Sequence, residues 1–223
     1  MIARAERLLV ELQGVYERDL EAKQVSDEAL NITHEIVEKC SNTLDQAMTH
    51  VFNKHIAPVL AEKPKRGGYF PAAKDEPAYR SALGQWNASK LDELVPELDG
   101  KLRSLQPFTS ESNAIYARIK ELAARKHTGL VPQVRSEQRR VNVERPGSGS
   151  VSWGPGVTFG GGVSVMGVPI DPNTQMPAHN NGVNVTVETW VSFHIEGGGE
   201  NAIPFCKSAL DAVRRAVQTM VEQ

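Results

Sequence analysis

Apolar residues recur at spacings of three and four along the first part of the chain. Leu8, Leu9, Leu12, Tyr16 and Leu20 form one stripe, which predicts a helix from about Ile2 to Lys23. Ile36, Val37, Cys40, Leu44, Ala47, Met48, Val51, Phe52 and Val59 form a second, longer stripe. Ser26 is placed to cap that helix, with Asp27 and Glu28 facing the positive end of its dipole. At about 1.5 Å per residue it runs roughly 50 Å. Two such helices in succession predict an antiparallel hairpin, with length to spare for a partner, including a second copy of the chain. The pattern breaks over residues 61–77, where three prolines and a Gly-Gly pair mark a loop. A third helical region spans about Ala78 to Leu105, interrupted near Trp86 and Pro96. A fourth runs from about Glu111 to His127, with Ser110 as its cap, Ile115, Ile119 and Leu122 as its apolar face, and Gly129 as its stop.

The period then changes to two. Val141 and Val143 alternate with polar neighbours, as do Val151 and Trp153, Val157 and Phe159, and Val163 and Val165. The clearest strand is Val183 to Ile195. There Val183, Val185, Val187, Thr189, Val191, Phe193 and Ile195 share one face, and Asn184, Thr186, Glu188, Trp190, Ser192 and His194 share the other. One dry face and one wetter face predict an antiparallel sheet. Asp171-Pro172-Asn173 and Asn180-Asn181-Gly182 are turn signals. Cys206, Leu210, Val213, Val217 and Met220 form the stripe of a final helix, long enough to cover the dry face. The expected fold is α+β. An N-terminal helical hairpin or bundle (1–130) is followed by a glycine-rich antiparallel β-meander covered by the C-terminal helix (131–223).

Composition sharpens that division. Residues 1–130 hold 18 of the 25 basic side chains, whereas residues 147–199 hold 12 of the 18 glycines. The net charge of -2 argues against a nucleic-acid footprint over the whole surface but leaves room for a local patch. The longest apolar runs are only a few residues, too short for a transmembrane helix. The N-terminus has no long apolar stretch of a secretory signal, so a cytoplasmic location is expected. Cys40 and Cys206 lie in helical patterns and read as buried reduced thiols. Asn31, Asn87 and Asn184 head glycosylation patterns, which carry no weight without export.

The search for chemistry returns incomplete sets. Gly154-Pro155-Gly156-Val157-Thr158-Phe159-Gly160 puts Phe159 where a dinucleotide fingerprint needs its third glycine, and no helix pattern follows. No Lys or Arg occurs from Pro146 to Cys206, so turns and close strand packing account for these glycines. His34, His50 and His55 share one predicted helix without the spacing of a metal site, and neither a metal nor a cofactor is expected. Lys63, Lys65, Arg66 and Tyr69, with Phe70, form a basic loop with aromatics that could hold phosphate and stack a base. Its plainer role is a solvated loop anchored by Tyr69 and Phe70. Arg135, Arg139, Arg140 and Arg145 form a second basic cluster, suited to guarding a strand edge. Trp190 and His194, with Trp153, could line a small-ligand pocket in the β part, although packing is the commoner use of such residues. Arg118, Arg125 and His127 end the fourth helix. There a histidine could move a proton and an arginine stabilise phosphorane charge in RNA cleavage. A histidine in a last helical turn serves the dipole equally well.

Tyr69-Phe70-Pro71, Leu105-Gln106-Pro107-Phe108 and Arg125-Lys126-His127 with Leu130, Pro132 and Gln133 resemble a group of bacterial proteins to which no activity is attached. Ser152-Trp153-Gly154, Phe159-Gly160 and Gly167-Val168-Pro169-Ile170-Asp171-Pro172 resemble the same group's glycine-rich region. The helical half loosely resembles HEPN domains, the helical fold of many toxin and defence ribonucleases. That resemblance implies an RNA-acting site built on His127 with Arg118 or Arg125 across a dimer. HEPN enzymes place arginine four to six residues before histidine; here Arg118 precedes His127 by nine and Arg125 by two. The leading expectation is therefore a non-catalytic interaction or structural module that self-associates through its long helices. A HEPN-type nuclease and a small-ligand-binding β domain are the alternatives.

Overall fold

Seven helices and five strands form among the described residues: α1 (Ile2–Ala22), α2 (Asp27–Val51), α3 (Glu76–Gln85), α4 (Leu91–Leu94), α5 (Pro96–Ser104), α6 (Ala114–Ala124), β1 (Gln133–Arg145), β2 (Gly149–Trp153), β3 (Ser164–Val165), β4 (Val168–Pro169), β5 (Asn184–Ile195) and α7 (Ala202–Val221). The computed structural model describes all residues except 23, 65, 66, 126–129, 155, 180, 181, 198, 222 and 223, and omits the side chains of 138 and 190. The fold is α+β, as the pattern predicts. No described helix is long and apolar enough to cross a membrane. The chain divides into two compact units: Met1–Val134 with His194–Gln223, and Arg135–Phe193. The first break falls close to the expected one, but the C-terminal helix belongs to the helical unit.

In that unit, α1 and α2 pack along their lengths. Leu8, Leu12 and Tyr16 are buried with Ala5 and Val15, while Leu20 is exposed, so the buried face of α1 is turned slightly from the expected stripe. Ser26 caps α2 as expected, its Oγ accepting from the Ala29 amide at 3.2 Å. The buried Asp19 carboxylate accepts from both the amide (2.9 Å) and hydroxyl (3.0 Å) of Ser26, which fixes the turn between the helices. The second helix is shorter than its apolar pattern. Beyond Val51 the backbone widens into a π turn over Phe52–Ile56 and tightens again over Ala57–Val59. Pro58 explains this: it has no N–H to donate, and its ring crowds the carbonyl four residues back. Ser110, expected to cap the fourth helix, makes no capping bond. A short 3₁₀ turn over Glu111–Asn113 intervenes before α6. Gly129, its expected stop, lies outside the described residues.

The expected role of α7 needs correction. Its buried face (Ala202, Phe205, Cys206, Ala209, Leu210, Ala212, Val213, Ala216 and Met220) packs on α1, α2, α5 and α6 within the helical unit. Alanine at four of these positions lets helices approach closely, a fit to another helix rather than to a pleated sheet. The Tyr116 hydroxyl donates to the Ala212 carbonyl at 3.0 Å and locks α6 to α7.

In the β unit, β1 and β2 form an antiparallel hairpin with Val141 opposite Trp153 and Val143 opposite Val151. The sheet order is β2-β1-β5, with β3 and β4 as a separate hairpin, so the expected simple meander is not formed. Val141, Val143, Trp153 and Ile170 make a small core, and Phe159, Val165, Met166, Met176 and Val183 pack against it. The strand expected at Val157 and Phe159 is absent among the described residues. The Gln175 amide occupies the Phe159 backbone instead, accepting from its N–H at 2.7 Å and donating to its carbonyl at 3.2 Å. The turn at Asp171 forms as expected, its carboxylate accepting from the Asn173 amide at 2.8 Å.

Candidate functional site

α6 and the start of α7 enclose a cleft of about 780 Å³. Ala114, Ile115, Ala117, Pro204 and Phe205 supply its apolar walls, and Arg118, Glu121 and Glu200 its charged end. One helical turn sets Arg118 beside Glu121, and the next sets Glu121 beside Arg125. Arg118 donates to both carboxylate oxygens of Glu121 at 2.9 and 3.0 Å and to the Glu196 carbonyl at 3.1 Å. Its Nε lies 3.3 Å from Glu200, and its side chain is only 14 % exposed. Arg125 stands 3.6 Å from Glu121. The guanidinium of Arg118 thus clamps the turn between β5 and α7 onto α6. Two carboxylates already neutralise it, so a phosphate would have to displace one of them. His127, the proton carrier of the nuclease reading, lies outside the described residues.

The basic loop is built on a different principle. Gly68 is required because a Cβ there would sit 2.5 Å from the Cβ of Phe52. Its carbonyl accepts from the Thr49 hydroxyl at 2.9 Å, and the Phe70 amide donates to the Asp45 carboxylate at 3.0 Å. Lys120 pairs with the same carboxylate. Phe70 is buried, its ring 5.3 Å from that of Tyr116. Tyr69 is 60 % exposed, so Phe70 alone of the two anchors the loop. Lys63 is exposed, and its carbonyl accepts from the Asn87 side chain. Lys65 and Arg66 lie outside the described residues, so Lys63 and Tyr69 are the members of that predicted site whose positions are known.

In the β unit, Trp153 lines a hollow of about 410 Å³ with Glu137, Arg139, Val141 and Gln175. Its Nε1 donates to the Gln175 carbonyl at 3.3 Å, and its ring meets Phe159 edge-on at 5.1 Å. The indole is therefore mostly a core side chain. The side chain of Trp190 lies outside the described residues. His194 belongs to the helical unit, where its Nδ1 is 2.7 Å from the Gly199 carbonyl. The predicted trio is thus divided between two units.

Sequence reasoning missed the hollow beside the π turn. His55, on the π turn, lines about 320 Å³ with Val95, Glu97, Leu98, Lys101 and Met220. Pro58, three residues downstream of His55, was the available signal for the irregular turn. Glu97 and Lys101 pair with each other at 3.2 Å there. The buried thiols are chemically quiet. Burial pushes Cys40 up to about 12, and burial with the nearby Cys40 pushes Cys206 up as well. Among the described residues no three His, Cys, Asp or Glu side chains converge to hold a metal ion. No protein-family model, curated protein or solved structure matches this chain.

Proposed function

We propose that the chain is a non-catalytic interaction or structural module that self-associates. The observation that carries this reading is the clamp on Arg118, one of the two arginines that the nuclease alternative offers beside His127. The two terminal nitrogens of Arg118 donate to Glu121, the Glu196 carbonyl and Glu200, while its buried Nε lies 3.3 Å from Glu200 without forming a hydrogen bond. A catalytic arginine needs donors preorganised toward the charge that develops in the transition state. Here they are preorganised toward the protein itself. Most of the apolar stripes of α1 and α2 is covered within one chain, while Leu20 and Val59 stay exposed. Buried reduced thiols at Cys40 and Cys206 support a cytoplasmic setting.

Incubation with mixed RNA tests the choice between module and nuclease. The module reading expects no cleavage by the wild type. Cleavage abolished by His127→Ala, with an unchanged circular dichroism spectrum, contradicts it and restores the HEPN-type reading.

A further inference from the structure

β5 keeps its alternation over twelve residues, but its cover fades along the strand. On the apolar face Ile195 is 0 % and Phe193 3 % exposed, whereas Val187 is 42 % and Val185 41 % exposed. Every residue from 184 to 189 is exposed. β2 pairs only with residues 141–145 of β1, so the rest of β1 has β5 as its one neighbouring strand in the described sheet. A two-stranded ribbon by itself is marginal in water.

The outer edges of this ribbon differ in chemistry. From 133 to 140, β1 carries Arg135, Glu137, Arg139 and Arg140, the kind of charged edge that resists pairing with another chain. From Asn184 to Ile195, β5 carries one carboxylate, Glu188, and no lysine, arginine or proline. Its C-terminal end is already engaged, since His194 bridges to Asn201. The unguarded stretch is therefore 184–191, about 26 Å at the usual rise per residue.

We infer that residues 184–191 of β5 pair antiparallel with the same residues of a second copy, joining two three-stranded sheets into one of six strands. This rests on the module reading above and names its contact surface. Symmetry and charge select a second copy as the occupant. A two-fold axis normal to the sheet sets each residue opposite one of the same parity. Val185, Val187 and Val191 then continue one apolar face across the junction, and Thr186 and Glu188 continue the polar one. Glu188 meets its own copy only if the axis falls on it, and every other register avoids that repulsion. The pairing joins the two β5 edges and leaves the charged stretch of β1 and the five-residue edge of β2 outside. The contact closes at two copies and does not run on as a fibre.

Sedimentation equilibrium of the full chain tests this, with Val187→Lys as the edge variant and Val10→Lys, on exposed α1 surface, as the helical control. Val185→Lys serves as a second edge variant should Val187→Lys fail to fold by circular dichroism. The wild type is expected at twice the 24.4 kDa chain mass at tens of micromolar. An edge variant is expected to weaken that dimer by roughly ten-fold or more, because a lysine on an edge strand resists pairing with another chain and the two-fold axis brings two of them to one junction. Val10→Lys is expected to leave it intact. A dimer unmoved by folded edge variants overturns the inference and leaves the module reading standing. A dimer lost with Val10→Lys alone returns self-association to the helices and also overturns the inference. A monomeric wild type, which would reserve the edge for a strand of another protein, overturns both.

Discussion

The helical unit and the β unit solve the same problem differently. Each presents a regular apolar face that must leave water. The helical unit covers its own: α1, α2, α6 and α7 close over Leu12, Ile36, Leu44, Ile119 and Val213, all buried. Among its described residues the β unit buries Val141, Val143, Trp153, Val168, Ile170 and Phe193, and Val185 and Val187 remain exposed on the long strand. Helices can pack back on one another after short loops. A strand edge left to water is a template for another strand, unless a side chain occupies the backbone as the Gln175 amide does at Phe159. The first unit buries its apolar faces against its own helices; the second leaves Val185 and Val187 of β5 exposed.

Substitutions can break that contrast at graded cost. The largest effect is expected from Leu44→Ala, which opens a cavity where α2 meets its neighbours. A loss of about 2–5 kcal/mol in urea unfolding checks it. Gly68→Ala should cost about 1–3 kcal/mol, because the new methyl group collides with Phe52. Ser26→Ala removes the cap of α2, and its expected cost is about 1 kcal/mol by the same measurement. Val187→Thr should change the stability of the isolated chain by less than about 0.5 kcal/mol, since it alters exposed surface and keeps a β-branched shape. A cost for Val187→Thr as large as that for Leu44→Ala would erase the distinction between the units. The thiols offer a further probe. Both should resist alkylation in the native state at mildly alkaline pH, because burial raises both above their ordinary range. Mass spectrometry should find modification only after denaturation.

The helical elements were largely legible in the sequence because a period of 3.6 is set locally. The stripe of α2 and its Ser26 cap could be read without tertiary information. The partner of α7 could not be read so directly. Its valines and leucine suit a sheet or a helix equally, and the alanines at 202, 209, 212 and 216 decide the matter only once close helix packing is considered. The strand missing at Phe159 was illegible for a related reason: an amide sixteen residues away fills its hydrogen bonds. Arg118 was singled out as a candidate to stabilise phosphorane charge, whereas its partners Glu196 and Glu200 are some eighty residues distant. Neither spacing nor composition connects them. The alternation in β5 was plain, whereas the loss of cover along it depends on how far β2 extends.

Hydrogen exchange of the β5 amides at low and high protein concentration tests the central claim most directly. The account expects amides within 185–191 to gain protection as concentration rises, while those of α2 stay equally protected throughout. Exchange in β5 that is independent of concentration would contradict it.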